Sequence, residues 1–78
     1  MKLNQTEFQI KLGKMVREQR KKAGLKQSDV AKQADMSLAA YLYVEEGHIC
    51  PDVFTAIMIA DALGVKPSFF LDDEKDIA

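Results

Sequence analysis

Phe8, Leu12 and Val16 recur every fourth residue, a spacing that lines them up on one stripe of a helix. Thr6-Glu7-Phe8-Gln9 has the Thr-x-x-Gln form of a capping box, so a helix is predicted over 7–23. Gly24 can end it in the left-handed conformation, with Lys21 and Lys22 set against the C-terminal dipole. Val30, Ala31 and Ala34 share one face of a second, short helix over 27–34, which "DMS" interrupts. Ser37 is the N-cap of a third helix over 38–46, with Tyr41 and Val44 inward and Gly47 as terminator. Pro51 precedes a fourth helix over 52–63, closed by Gly64, and Pro67 opens a last turn over 67–71. No stretch alternates at the period of a strand, and the tail 72–78 is expected to fray. The pattern predicts one compact all-α domain of five helices over residues 1–78.

The predicted fourth helix carries two apolar stripes. Ala56, Ile59, Ala60 and Leu63 form one, which suits a core; Phe54, Ile57 and Met58, next to Asp61, form another. A helix with two apolar faces must bury both. Together with Phe69 and Phe70 the second stripe is a candidate contact with a second copy or another protein. The alternative is that one of these side chains packs beneath residues 1–10.

Charge changes this picture more than overall composition does. The 78 residues are 47% hydrophobic and 29% charged with a net charge of −1, as expected of a folded, soluble chain. Residues 1–34 hold nine Lys and Arg against three acids, whereas residues 35–78 hold two against nine. A basic half joined to an acidic half suits a polyanion on one surface; the alternative is solvated helix faces that segregate by chance. No apolar run approaches a membrane span or a signal-peptide core. The lone cysteine, Cys50, cannot form an internal disulfide, which fits a reducing cytoplasm. With one His, one Cys, no carboxylate pair placed in a cleft and no glycine-rich phosphate loop, neither catalysis, a cofactor nor a metal site is expected.

Arg20, "GLKQSDVA" (24–31), Ser37, "VEEG" (44–47) and "IADALGV" (59–65) together resemble the Cro/repressor-type, Xre-like helix-turn-helix family of bacterial and phage regulators. The resemblance spans about residues 12–71. It implies a double-stranded DNA partner, a homodimer, and a third helix laid in the major groove. It places Lys26, Gln27, Ser28, Ser37, Leu38, Ala39, Leu42 and Tyr43 against DNA, with Gln27 at a phosphate, and pairs Arg20 with Glu45 as an ion pair that orients the third helix. It puts the dimer or partner contact at Phe54, Ile57, Met58, Asp61, Phe69 and Phe70.

The chain also departs from that family. Positions matching Leu38, Ala39 and Tyr43 are usually polar in relatives, and bidentate readout of guanine or adenine by such residues needs Arg, Lys, Asn or Gln. What this face offers instead is apolar contact with thymine methyls, and a phosphate or water contact from the Tyr43 hydroxyl. Glu46 would repel a phosphate or accept from a cytosine amine. Asp35 stands where relatives usually have Gly. Two functions therefore remain open: a small DNA-binding transcriptional regulator, or a helix-turn-helix fold that uses its apolar faces to bind a protein.

Overall fold

The computed structural model describes residues 4–70. Among these residues it has four α-helices and no strand: α1 (Gln5–Lys22), α2 (Gln27–Gln33), α3 (Leu38–Glu45) and α4 (Val53–Leu63). The predicted fifth helix is a short 3-10 turn over residues 67–70; position 71 and the tail lie outside the described residues.

Helix α1 begins earlier than the pattern predicts because Asn4, not Thr6, caps it. Glu7 N–H donates to Asn4 Oδ1 at 2.8 Å and Asn4 N–H donates to Glu7 Oε1 at 3.2 Å, a reciprocal box two residues upstream of the predicted one. Asn is a stronger N-cap than Thr, and its partner at the third position is a Glu. Ser37 and Asp52 cap α3 and α4 in the same way, through Ala40 N–H at 3.1 Å and Thr55 N–H at 2.7 Å.

Helix α3 ends at Gly47, whose φ is +79°. His48 N–H donates to Tyr43 O at 2.9 Å and Gly47 N–H to Val44 O at 3.1 Å, which satisfies carbonyls the helix leaves open. Helix α2 ends with the same pair of bonds, Met36 N–H to Ala31 O and Asp35 N–H to Lys32 O, but its left-handed residue is Asp35 at φ +59°. The turn between α2 and α3 thus takes a side chain where Gly would be unstrained.

Val16, Val30, Tyr41, Val44 and Ile59 are fully buried at the centre of the core, joined by Leu12, Ala31, Ala34, Ala60, Ala62, Leu63 and Phe70. Burying each larger side chain contributes roughly 1.5–3 kcal/mol. Helix α3 packs against both α1 and α2, and α4 against α2. The approach of α1 to α3 depends on Gly13: a Cβ there would lie 2.6 Å from Glu45 O and 2.7 Å from Val44 O. Gln9 Nε2–H also donates to Gly47 O at 3.3 Å, fastening the end of α3 to α1. Helix α3 is held on two sides and leaves its third side to solvent.

Candidate nucleic-acid interface

The inward side of α3 ends in a buried carboxylate. Glu45 is 3% exposed and accepts from four groups drawn from three helices. Arg20 donates from Nε to Oε2 at 2.7 Å and from Nη2 to Oε1 at 3.2 Å, Gln27 from Nε2 to Oε1 at 2.9 Å, and Tyr41 from its hydroxyl to Oε2 at 2.6 Å. Arg17 Nε lies 3.5 Å from Oε1. Arg20 also donates from Nη1 to Leu25 O at 3.0 Å, so one guanidinium ties α1, the α1–α2 turn and α3 together. Among the described residues no buried side-chain nitrogen or oxygen lacks a partner, as a charged group in the interior requires.

Burial alone would push the Glu45 carboxyl up. The hydrogen bonds from Arg20, Tyr41 and Gln27 reverse this and hold it down to about 2, against an ordinary 4.5. The same bond to Glu45 raises the Arg20 guanidinium, and burial with donation to Glu45 pushes the Tyr41 hydroxyl up. A carboxyl depressed on folding stabilises the fold above its unfolded value and loses that contribution as pH falls through the folded value. Glu45 is therefore expected to stabilise the fold at neutral pH and to lose that contribution as pH falls from about 4.5 toward 2. Urea unfolding from pH 6 to pH 2 checks this: Glu45→Gln should be less stable than wild type at pH 6, and the gap should close across that window.

The clamp recruits residues that the sequence reading placed elsewhere. Gln27, assigned to a phosphate, is half-buried and turns an amide N–H inward to Glu45. Tyr41, read only as core, supplies a hydroxyl donor, and Arg17 was not singled out at all. Two spacings carry the signal: Tyr41 to Glu45 is i,i+4 on α3, and Arg17 to Arg20 is i,i+3 on α1, so each pair shares a helix face.

The outward side is chemically different. Leu38 is 45% exposed and Tyr43 53%; Ala39 and Glu46 are exposed and Leu42 half-buried. Lys26, Ser28 and Ser37 are exposed as well. Tyr43 meets the His48 ring edge-on with centroids 6.1 Å apart, and His48 Nε2 lies 3.4 Å from Glu46 Oε1. The residues assigned to a dimer or partner contact divide. Phe54 is 69% and Ile57 42% exposed, Asp61 is exposed, and Met58 and Phe69 are half-buried. Phe70 is core, 4% exposed; it closes the hydrophobic cluster from the 67–70 turn and reaches the surface only as part of the lining of an apolar groove. Val53, absent from the sequence-derived set, is the most exposed large apolar residue among these, at 77%. Among the described residues no helix is long and apolar enough to cross a membrane.

Two short helices joined by a tight turn, the second locked from behind and bare in front, define a helix-turn-helix protein. The model of the HTH_3 helix-turn-helix family matches residues 16–70, and the chain belongs to that family. Among solved structures it is similar to the restriction-modification controller protein C.AhdI from Aeromonas hydrophila, with a TM-score of 0.77 and 26% identity over 80% of this chain and 94% of that one. It is also similar in fold to an HTH_3 family transcriptional regulator from Vibrio cholerae, with a TM-score of 0.84 and 23% identity over 95% of this chain. It spans 42% of the length of that regulator. No curated protein sequence matches the chain.

Proposed function

We propose that the protein is a small DNA-binding transcriptional regulator that lays α3 in the major groove as a homodimer. The observation that carries this reading is the two-sidedness of α3: its inner edge is fixed by the Glu45 clamp, while Leu38, Ala39 and Tyr43 stand free on a helix narrow enough for the groove. Membership of the HTH_3 family and the regulator roles named for the two similar structures support it. Phosphate contacts would come from the basic first half, with Lys26 and Ser28 exposed beside the turn. Sequence choice would rest on thymine methyls and on DNA shape more than on hydrogen bonds to bases. Fluorescence-anisotropy titration against mixed-sequence and self-promoter duplexes at several salt concentrations tests it. Binding that weakens steeply as salt rises is expected; no binding at low salt, or binding indifferent to salt, would sink the reading.

The dimer contact is proposed at α4. Val53, Phe54 and Ile57 stand exposed beside an apolar groove of about 450 Å³ lined by Phe8, Leu12, Pro51, Val53, Ala56, Ile57 and Phe70 among others. A helix-turn-helix dimer reads two half-sites about one helical turn of DNA apart. Phe54→Lys is expected to weaken self-association at least about thirtyfold in sedimentation-velocity runs while the helical circular dichroism stays unchanged. A wild-type chain that stays monomeric at high concentration contradicts the dimer. The exposed apolar faces of α3 and α4 also support a second reading, in which this fold binds another protein. Leu42→Lys with Tyr43→Lys should then abolish capture of that protein, and unchanged capture would exclude the α3 surface.

A further inference from the structure

The outward face of α3 is short of hydrogen-bonding groups in a way that points to one kind of base. Leu38, Ala39, Leu42 and Tyr43 share adjacent rows of the helix, with Leu38 and Tyr43 each about half exposed. Two of the nearby polar side chains are engaged in holding the fold. Ser37 Oγ accepts from Ala40 N–H, and Gln27 directs its amide to Glu45. The outward polar tips are the Tyr43 hydroxyl on α3 and the carboxylate of Glu46 at its C-cap, beside His48.

In the major groove the one apolar feature on a base edge is the C5-methyl group of thymine. Cytosine methylated at C5 presents the same methyl at the same ring position, and its N4 amine is a donor that a carboxylate such as Glu46 can accept. Unmethylated cytosine and uracil present a bare C–H there and leave the apolar side chains facing water. The occupant is argued from charge: α1 and α2, on which α3 sits, hold seven Lys and Arg against three acids, which suits a polyanion.

We propose that α3 is a reader of pyrimidine C5-methyl groups, so that 5-methylcytosine can stand in for thymine in the bound site and cytosine methylation strengthens binding. This rests on the DNA-binding reading above and specifies its ligand. Each methyl taken from water into apolar contact is worth about fourfold in affinity.

The test uses the full chain and the tightest-binding duplex selected from a random-sequence pool. That duplex is resynthesised with deoxyuridine for thymidine, and separately with cytidine or 5-methylcytidine, each paired with guanine, at the thymine positions. Anisotropy titrations should show the deoxyuridine form binding at least about fourfold weaker, and the 5-methylcytosine form binding tighter than the cytosine form. In the variant Leu38→Asn with Ala39→Asn, whatever its overall affinity, the affinity ratios between thymidine and deoxyuridine forms and between 5-methylcytosine and cytosine forms should fall toward one. Equal affinity for thymidine and deoxyuridine forms, with the salt dependence intact, overturns the methyl reading and leaves DNA binding standing. A difference that persists in the variant assigns it to DNA shape and also overturns the proposal. Absence of salt-dependent binding to any duplex removes both readings.

Discussion

Arg20→Leu should destabilise the protein by about 3–5 kcal/mol. The variant keeps much of the side-chain volume but leaves the Glu45 carboxylate, with no solvent-exposed side-chain area, without its two shortest charged bonds. Gln27, Tyr41 and the half-exposed Arg17 remain as partners, and they cannot replace a bidentate guanidinium. A chain of 78 residues has roughly 4–12 kcal/mol of stability in total, so the loss is a large share of it. Thermal unfolding should shift down by about 12 °C or more. The acid limb should also move to higher pH, because removing Arg20 removes the largest influence that lowers Glu45. A variant as stable as wild type would mean that Gln27, Tyr41 and Arg17 suffice to hold the buried carboxylate. DNA affinity should fall with the helix orientation even below the melting temperature, since Arg20 touches α3 and not the outward face.

Gly13→Leu is expected to cost more than about 4 kcal/mol and to leave the chain largely unfolded. Its graded partner is Gly13→Ala. Replacing a mid-helix glycine by alanine ordinarily stabilises by up to about 1 kcal/mol. Here the added Cβ would meet backbone carbonyls of Glu45 and Val44 at 2.6 and 2.7 Å, and backbone atoms cannot rotate aside as a side chain can. Helix α1 and helix α3 must separate, which pulls Arg20 away from Glu45. Gly13→Ala should therefore be destabilised in urea titrations, against the ordinary trend, and Gly13→Leu should lack a cooperative transition. A stabilised Gly13→Ala would show that α1 and α3 pack less closely.

These two residues also show what the sequence discloses and what it conceals. Ser37, Gly47 and the inward pair Tyr41 and Val44 are legible because caps, terminators and helical spacing are local. The start of α1 is less so: Asn4-Gln5-Thr6-Glu7 and Thr6-Glu7-Phe8-Gln9 are overlapping capping signatures, and the pattern cannot rank them. Gln27 is misleading because its partner lies 18 positions away, and only the packing of α2 on α3 turns the amide inward. Gly13 gives no signal because its role depends on which face of α1 meets α3. Phe70 was grouped with surface aromatics because the pattern does not say which side of the last turn closes the core. Phe54 and Ile57 do stand exposed, and Val53, the most exposed of that face, stands one turn before Ile57 at the first position of α4.

The proposed contact between DNA and the outward apolar face of the clamped α3 is open to direct test. Its most direct measurement is the salt-dependent anisotropy titration run in parallel on wild type and on Leu38→Glu with Tyr43→Glu, two exposed positions whose change leaves the core and the Glu45 clamp intact. Wild type should bind the duplex with affinity that falls steeply as salt rises, and the doubly acidic variant, folded as judged by circular dichroism, should lose at least about a hundredfold through charge repulsion at the groove. Equal binding by the two proteins would contradict α3 as the DNA-contacting helix.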